Sequence, residues 1–122
     1  MWRLGVGLLR DPQVIWVVRG DGRHEGAPWV VGPSRIEGRG VVITRPVMKD
    51  AAIGVAHWWY GGWKTTRDLG AMHNHSETPS CRNVTVGSYR YLVALRDLLP
   101  GEEVTVDYRL QPDLEQPMVG WR

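Results

Sequence analysis

His73-Asn74-His75-Ser76-Glu77-Thr78-Pro79-Ser80-Cys81 and, further on, Pro100-Gly101-Glu102-Glu103-Val104-Thr105-Val106-Asp107-Tyr108 are the two most informative runs of the chain. The first is its densest polar cluster. On a strand, a His-x-His pair would point both rings to one side, as a metal site needs. Only Ser76 separates His75 from Glu77, however, and nothing in the spacing recruits His57 or Cys81. The other reading is a polar turn whose side chains bond nearby backbone. In the second run, Pro100-Gly101 marks a turn and the strand 104–108 follows, with Val104, Val106 and Tyr108 on one face. Glu102 and Glu103 read as a solvated turn.

Outward from these runs the chain is a series of short apolar segments punctuated by 15 glycines and 8 prolines. None holds a helical apolar period for three turns. Strands are expected at 14–18, 29–31, 41–44, 83–86, 89–94 and 104–108, with turns at Asp21-Gly22, Gly32-Pro33, Gly87-Ser88 and Pro100-Gly101. Gly87-Ser88 reads as a two-residue hairpin. Residues 51–59 are ambiguous, and 66–70 suggests one helical turn capped by Thr66. The class is mainly β, in one domain over residues 1–122, with 109–122 as a carboxy-terminal tail.

The 122 residues carry 43% apolar and 23% charged side chains, the balance of a globular protein. No apolar run is long enough to span a membrane, and residues 1–9 lack a convincing cleavable signal, so a cytoplasmic location is expected. A single cysteine, Cys81, excludes an internal disulfide. The net charge is +2, from 15 basic and 13 acidic residues that are scattered rather than clustered, so specific nucleic-acid binding is not expected.

Three blocks in fixed order carry a resemblance: Gly38-Arg39-Gly40, Asn74-His75-Ser76 with Pro79, and Gly101-Glu102-Glu103 with Asp107-Tyr108. Together, across 34–108, they resemble the SET domain of protein-lysine methyltransferases, in the compact form of the stand-alone bacterial, viral and phage members. The resemblance implies a β-clip of several small curved sheets with a carboxy-terminal pseudoknot. It implies S-adenosylmethionine as cofactor, bound by Gly38, Arg39, Gly40, Asn74, His75 and Tyr108. Tyr108 would be the catalytic residue, its hydroxyl facing the transferring methyl and the lysine nitrogen, and Tyr60, Tyr91 and Trp121 would line the substrate channel. The implied partner is a protein bearing a target lysine, a histone or another host protein among the candidates, in the cytoplasm or, for a viral member, the host cytoplasm or nucleus.

The chain departs from the family pattern in places. The insert between Gly40 and Asn74 is short, Ser80 stands where an asparagine is usual, and Tyr60-Gly61-Gly62-Trp63 lacks the acidic residue expected there. Cys81 occupies the place of a zinc-ligating cysteine without companions after Tyr108, so no metal is expected. Seven tryptophans, with Trp58-Trp59-Tyr60 presenting aromatics to both faces of a strand, suggest a homodimer. The short middle region also fits an alternative, a non-catalytic module that recognises a lysine-bearing segment or only dimerises.

Overall fold

A computed structural model of the chain describes residues 16–110. The hairpin at its centre follows from local sequence. Gly87 adopts φ +58° at the first turn position, so Val86 pairs with Tyr89, and β8 (Cys81–Val86) runs antiparallel to β9 (Tyr89–Ala94). β5 (Ala52–Trp59), the ambiguous stretch of the sequence, pairs with the other edge of β9, and β6 (Trp63–Thr65) closes a four-stranded sheet of order β6-β5-β9-β8. Three two-stranded sheets surround it. They are β1 (Val17–Val18) with β2 (His24–Glu25), β3 (Trp29–Pro33) with β4 (Arg39–Ile43), and β7 (Asn74–His75) parallel to β10 (Thr105–Val106). The expected strand residues 14 and 15 lie outside the described residues, as does most of the expected tail. Among the described residues no helix is long and apolar enough to cross a membrane.

Side chains of β9 alternate between two apolar layers. Leu92 and Ala94 enter one cluster with Trp29, Val41, Ile43, Leu69 and Val104, while Tyr91 and Val93 enter another with Trp16, Val18 and Val55. β5 is buried along most of its length and shifts register twice against β9, between Ala52 and Gly54 and between Val55 and His57. A bulged strand leaves backbone groups out of the ladder, and buried groups must find partners elsewhere. Side chains supply them. Trp16 Nε1 donates to Ala52 O at 3.1 Å, Trp29 Nε1 to Ile53 O at 2.8 Å, and Thr66 Oγ1 to Val55 O at 2.8 Å. Val55 N donates to His24 Nε2 at 2.9 Å. The single helical turn α1 (Leu69–Met72) is capped by Asp68, not Thr66, because the Asp68 carboxylate already reaches back to His24 and takes Leu69 N at 2.6 Å. Thr66 Oγ1 contributes second, accepting from Gly70 N at 2.7 Å.

The carboxy-terminal segment is inserted between earlier parts of the chain, which is the pseudoknot. On one side Ile43 N donates to Glu102 O and Val104 N to Val41 O, at 2.9 and 2.8 Å. On the other, Thr105 and Val106 pair with Asn74 and His75. Val104 and Val106 are fully buried, each contributing about 1.5–3 kcal/mol relative to exposure, which anchors the insertion. The strand is shorter than expected and stops at Val106. Asp107 Oδ1 accepts from Arg109 N at 3.0 Å, which turns the chain, so Tyr108 opens a 3-10 turn (Tyr108–Leu110) instead of ending a strand.

Candidate functional site

The three blocks meet where this segment crosses. Ser34 Oγ donates to both oxygens of the Glu103 carboxylate, at 2.8 and 2.9 Å, and accepts from Ile36 N and Glu37 N. Asn74 Nδ2 lies 2.7 Å from Glu103 Oε2, 3.0 Å from Ser34 Oγ and 3.3 Å from the carbonyls of Glu37 and Arg39. The amide thus ties the glycine turn to the inserted segment. Glu103 is not the solvated turn residue that its neighbours suggested; it is the centre of this lock. Gly40 is required by the same crowding, since a Cβ there would stand 2.6 Å from Glu103 Oε2 and 3.1 Å from Asn74 Nδ2. Gly38, at φ +41°, has open space where a Cβ would be, so the turn presents bare backbone outward. Ser80, in the place of the family's asparagine, fastens the crossing too: its hydroxyl donates to Glu103 O at 2.8 Å and accepts from Thr105 N at 2.9 Å.

Tyr108 lies at the far end of the crossing. Its hydroxyl donates to His73 O at 2.6 Å, which orients the phenol. The ring packs between His73, edge-on at 5.4 Å, and His75 at 5.2 Å. Its backbone N donates to His75 Nδ1 at 3.1 Å. Burial pushes the Tyr108 phenol up to about 12, so it is neutral at ordinary pH. Arg109 holds the Asp107 carboxyl down at about 2, chiefly through side-chain hydrogen bonds of 2.9 and 2.7 Å.

The neighbouring His57 belongs to the four-stranded sheet. His57 pairs across the ladder with Arg90, whose guanidinium stacks 3.8 Å over the Trp63 ring. Burial, then the nearby His73 and Arg90, lowers His57 to about 4, and burial lowers His73 as well, so both rings are uncharged. Ring nitrogens of His57, His73 and His75 and both amide atoms of Asn83 are buried with no hydrogen-bond partner among the described residues. Cys81 is buried, its thiol pushed up to about 12 by burial above all. No group of three or more His, Cys, Asp or Glu among the described residues is placed to hold a metal ion.

Of the residues singled out in the sequence, Gly38, Arg39, Gly40, Asn74, His75 and Tyr108 come together here. Two others do not. Tyr91 is fully buried in the second apolar cluster, packed on Trp16 at 6.3 Å, because alternation along β9 turns it to the opposite face from Arg90 and Leu92. Tyr60 sits at the β5–β6 turn, 75% exposed. Trp121 lies outside the described residues. Sequence reasoning missed Ser34, Glu103 and the His73 ring. Their signal was weak, since each is a common polar residue whose partner is distant in sequence. An open groove of about 570 Å3 flanks the lock, lined among others by Arg35, Ile36, Ser76, Thr78 and Arg96, within the size range of small-molecule sites.

Comparison with known proteins agrees with this geometry. No curated protein matches the chain. Among solved structures, one from Plasmodium falciparum, assigned as a histone methyltransferase, superposes with a TM-score of 0.55 at 16% identity, over 69% of this chain and 95% of that one. At that identity the likeness concerns the fold. The SET domain family matches residues 48–109, which hold the Asn-His-Ser and Gly-Glu-Glu blocks; Asn74 of the first block is hydrogen-bonded both to Arg39 O of the preceding glycine turn and to Glu103. With half of its length matched and its inserted carboxy-terminal segment in place, the chain belongs to the SET domain family.

Proposed function

We propose that the chain is an S-adenosylmethionine-dependent protein-lysine N-methyltransferase. The observation that carries this reading is the Tyr108 hydroxyl, fixed at 2.6 Å on His73 O at the far end of the crossing where the three motif blocks meet. The cofactor fits what surrounds it. The turn at Gly38 leaves backbone uncovered, and buried ring nitrogens beside Tyr108 lack partners within the described chain. Gly38, Arg39, Gly40 and His75 would hold it, with Asn74 acting by holding the turn. Bound there, S-adenosylmethionine supplies a methyl group on a sulfonium.

The chain's own task is to present a neutral amine in line with that methyl group. A lysine amine has a reference pKa of about 10.4, so deprotonation at pH 7.4 costs about 4 kcal/mol. Uncharged His57, His73 and Tyr108 give an ammonium no counter-charge, and the Arg90 guanidinium near His57 repels it. The Tyr108 oxygen, its proton committed to His73 O, offers lone pairs for weak C–H···O contact with a methyl group. The compact spacing is that of the stand-alone members of the family.

Exposed Trp59 and Tyr60, beside Trp63 at 5.5 Å from Trp59, favour self-association and supply the second reading, a non-catalytic module. One experiment separates the readings. S-adenosylhomocysteine at 100 times its dissociation constant adds about 2.7 kcal/mol to stability, which thermal melting resolves. Labelled S-adenosylmethionine with a panel of lysine-bearing proteins then identifies labelled bands by mass spectrometry. No melting shift and no labelled band would leave only the binding module. Sedimentation of wild type against a Trp59→Ser, Tyr60→Ser double variant tests the homodimer, and two equal monomer values would remove it.

A further inference from the structure

Contacts of its own hold Tyr108, its hydroxyl on His73 O and its backbone N on His75 Nδ1. A further hold lies in the residues on either side of it. The Asp107 carboxylate accepts from the Arg109 backbone N at 3.0 Å, from Nε at 2.9 Å and from Nη2 at 2.7 Å. The two side-chain bonds form the parallel fork that fixes direction as well as distance between an arginine and a carboxylate. Nη1 of the same guanidinium forms an ion pair with Glu77 at 3.4 Å. One side chain therefore ties the end of the inserted segment to the loop that follows Asn74-His75-Ser76. Tyr108 lies along the chain between the two residues of the fork.

The Arg109 side chain is 49% exposed and that of Glu77 53%, so solvent screens their ion pair and its share of the overall stability is small. Asp107, with a side chain only 7% exposed, keeps the donor that the backbone at 109 supplies, whatever side chain stands there. What the clamp contributes is geometry. The hydroxyl stands at the tip of a rigid ring, so a small change in the backbone at 107–109 is magnified there. A misplacement of about 1 Å can cost about 10²-fold in rate. We propose that Arg109 is a positioning residue, which acts through the Tyr108 hydroxyl and sets its place by clamping Asp107 and Glu77 together. This rests on the methyltransferase reading for the reaction that the hydroxyl serves.

Two variants of the full chain test the assignment. In Arg109→Gln the amide nitrogen overlays Nε and keeps one bond to Asp107, while the fork and the reach to Glu77 are lost. Arg109→Lys keeps the charge without the fork. Both should melt within about 3 °C of wild type and respond alike to S-adenosylhomocysteine. The kcat should fall at least tenfold in the Gln variant and less in the Lys variant, with KM for S-adenosylmethionine unchanged. In a Tyr108→Phe background, Arg109→Gln should slow transfer no further, because the group it positions is gone. A loss that multiplies with that of Tyr108→Phe is what an independent structural role demands and would overturn the proposal, as would a wild-type kcat in Arg109→Gln. Amide hydrogen exchange reads the hold without the reaction. Exchange at Tyr108 N should quicken at least tenfold in Arg109→Gln while Leu92 in the core is unchanged. Equal acceleration at both, or none at Tyr108, would also overturn the proposal. Exchange that rises at Tyr108 alone, in a protein that transfers no methyl group, supports the clamp and removes the methyltransferase reading.

Discussion

Replacing Tyr108 with phenylalanine removes one oxygen and leaves the ring between His73 and His75. The lost contact is the 2.6 Å bond to His73 O. A neutral hydrogen bond contributes about 0.5–1.5 kcal/mol net, and a carbonyl left without its donor costs about 1–3. Tyr108 is only partly buried, so water can reach part of this site, and the stability loss should be about 1–2 kcal/mol. For a chain of this size that is a fall in Tm of roughly 3–12 °C, with folding intact. The effect on chemistry should be far larger. A single preorganised polar group at a reacting centre is worth about 10²–10³ in rate. Tyr108→Phe should therefore bind S-adenosylhomocysteine as wild type does and transfer methyl groups at least a hundredfold more slowly. The assay pairs melting curves, with and without S-adenosylhomocysteine, with single-turnover methylation followed by mass spectrometry. Methylation at the wild-type rate would refute the assignment of this hydroxyl to the reacting centre. A collapse in stability beyond a few kcal/mol would refute the premise that only one hydrogen bond was removed.

Gly40→Ala forces a Cβ to 2.6 Å from a Glu103 oxygen that Ser34 and Asn74 already hold, so it should destabilise by about 1–3 kcal/mol; an unchanged urea midpoint would show that the lock yields freely. His24→Leu strips Val55 N of its acceptor and the Asp68 carboxylate of a donor, both largely buried, and should cost about 2–4 kcal/mol with faster hydrogen exchange at Val55; wild-type exchange there would contradict the bulge account. Acid should act in two windows. His57 and His73 have folded pKa values below the 6.5 of the free side chain, so the unfolded chain takes up protons that the folded chain refuses, and stability falls as pH drops from 6.5 through about 4. Asp107, held at about 2 by Arg109, adds a separate loss below pH 4. A melting series against pH, repeated with His57→Asn, should show the upper window flattened; a profile level between pH 6.5 and 4 in wild type would argue that these rings are not buried as described.

Much of the architecture was legible in local pattern. Gly87-Ser88 between two β-branched and aromatic runs specifies a hairpin because turn geometry and period-2 alternation are properties of neighbouring residues, and β9 follows the expected boundaries. The Asn-His-Ser and Gly-Glu-Glu blocks were legible for a different reason: their order and spacing point to one family even though nothing in them states that the two meet in space. What the sequence could not contain is the crossing itself. Glu103 looks like a solvent residue after a Pro-Gly turn, and only the tertiary insertion brings Ser34 and Asn74 to its carboxylate. Tyr91 looks like a channel aromatic until the pairing of β9 with β5 and β8 assigns it to the opposite face of the sheet. Tyr108 reads as a strand end until Asp107 captures Arg109 and turns the chain. The His73 ring is oriented by Leu69 O, the first carbonyl of α1, at 2.7 Å from its Nδ1. For Glu103 and Tyr91 the deciding contact joins segments that local propensity treats as independent, and folding alone brings them together; for Tyr108 and His73 it is a short-range side-chain bond that strand and helix periodicity do not report.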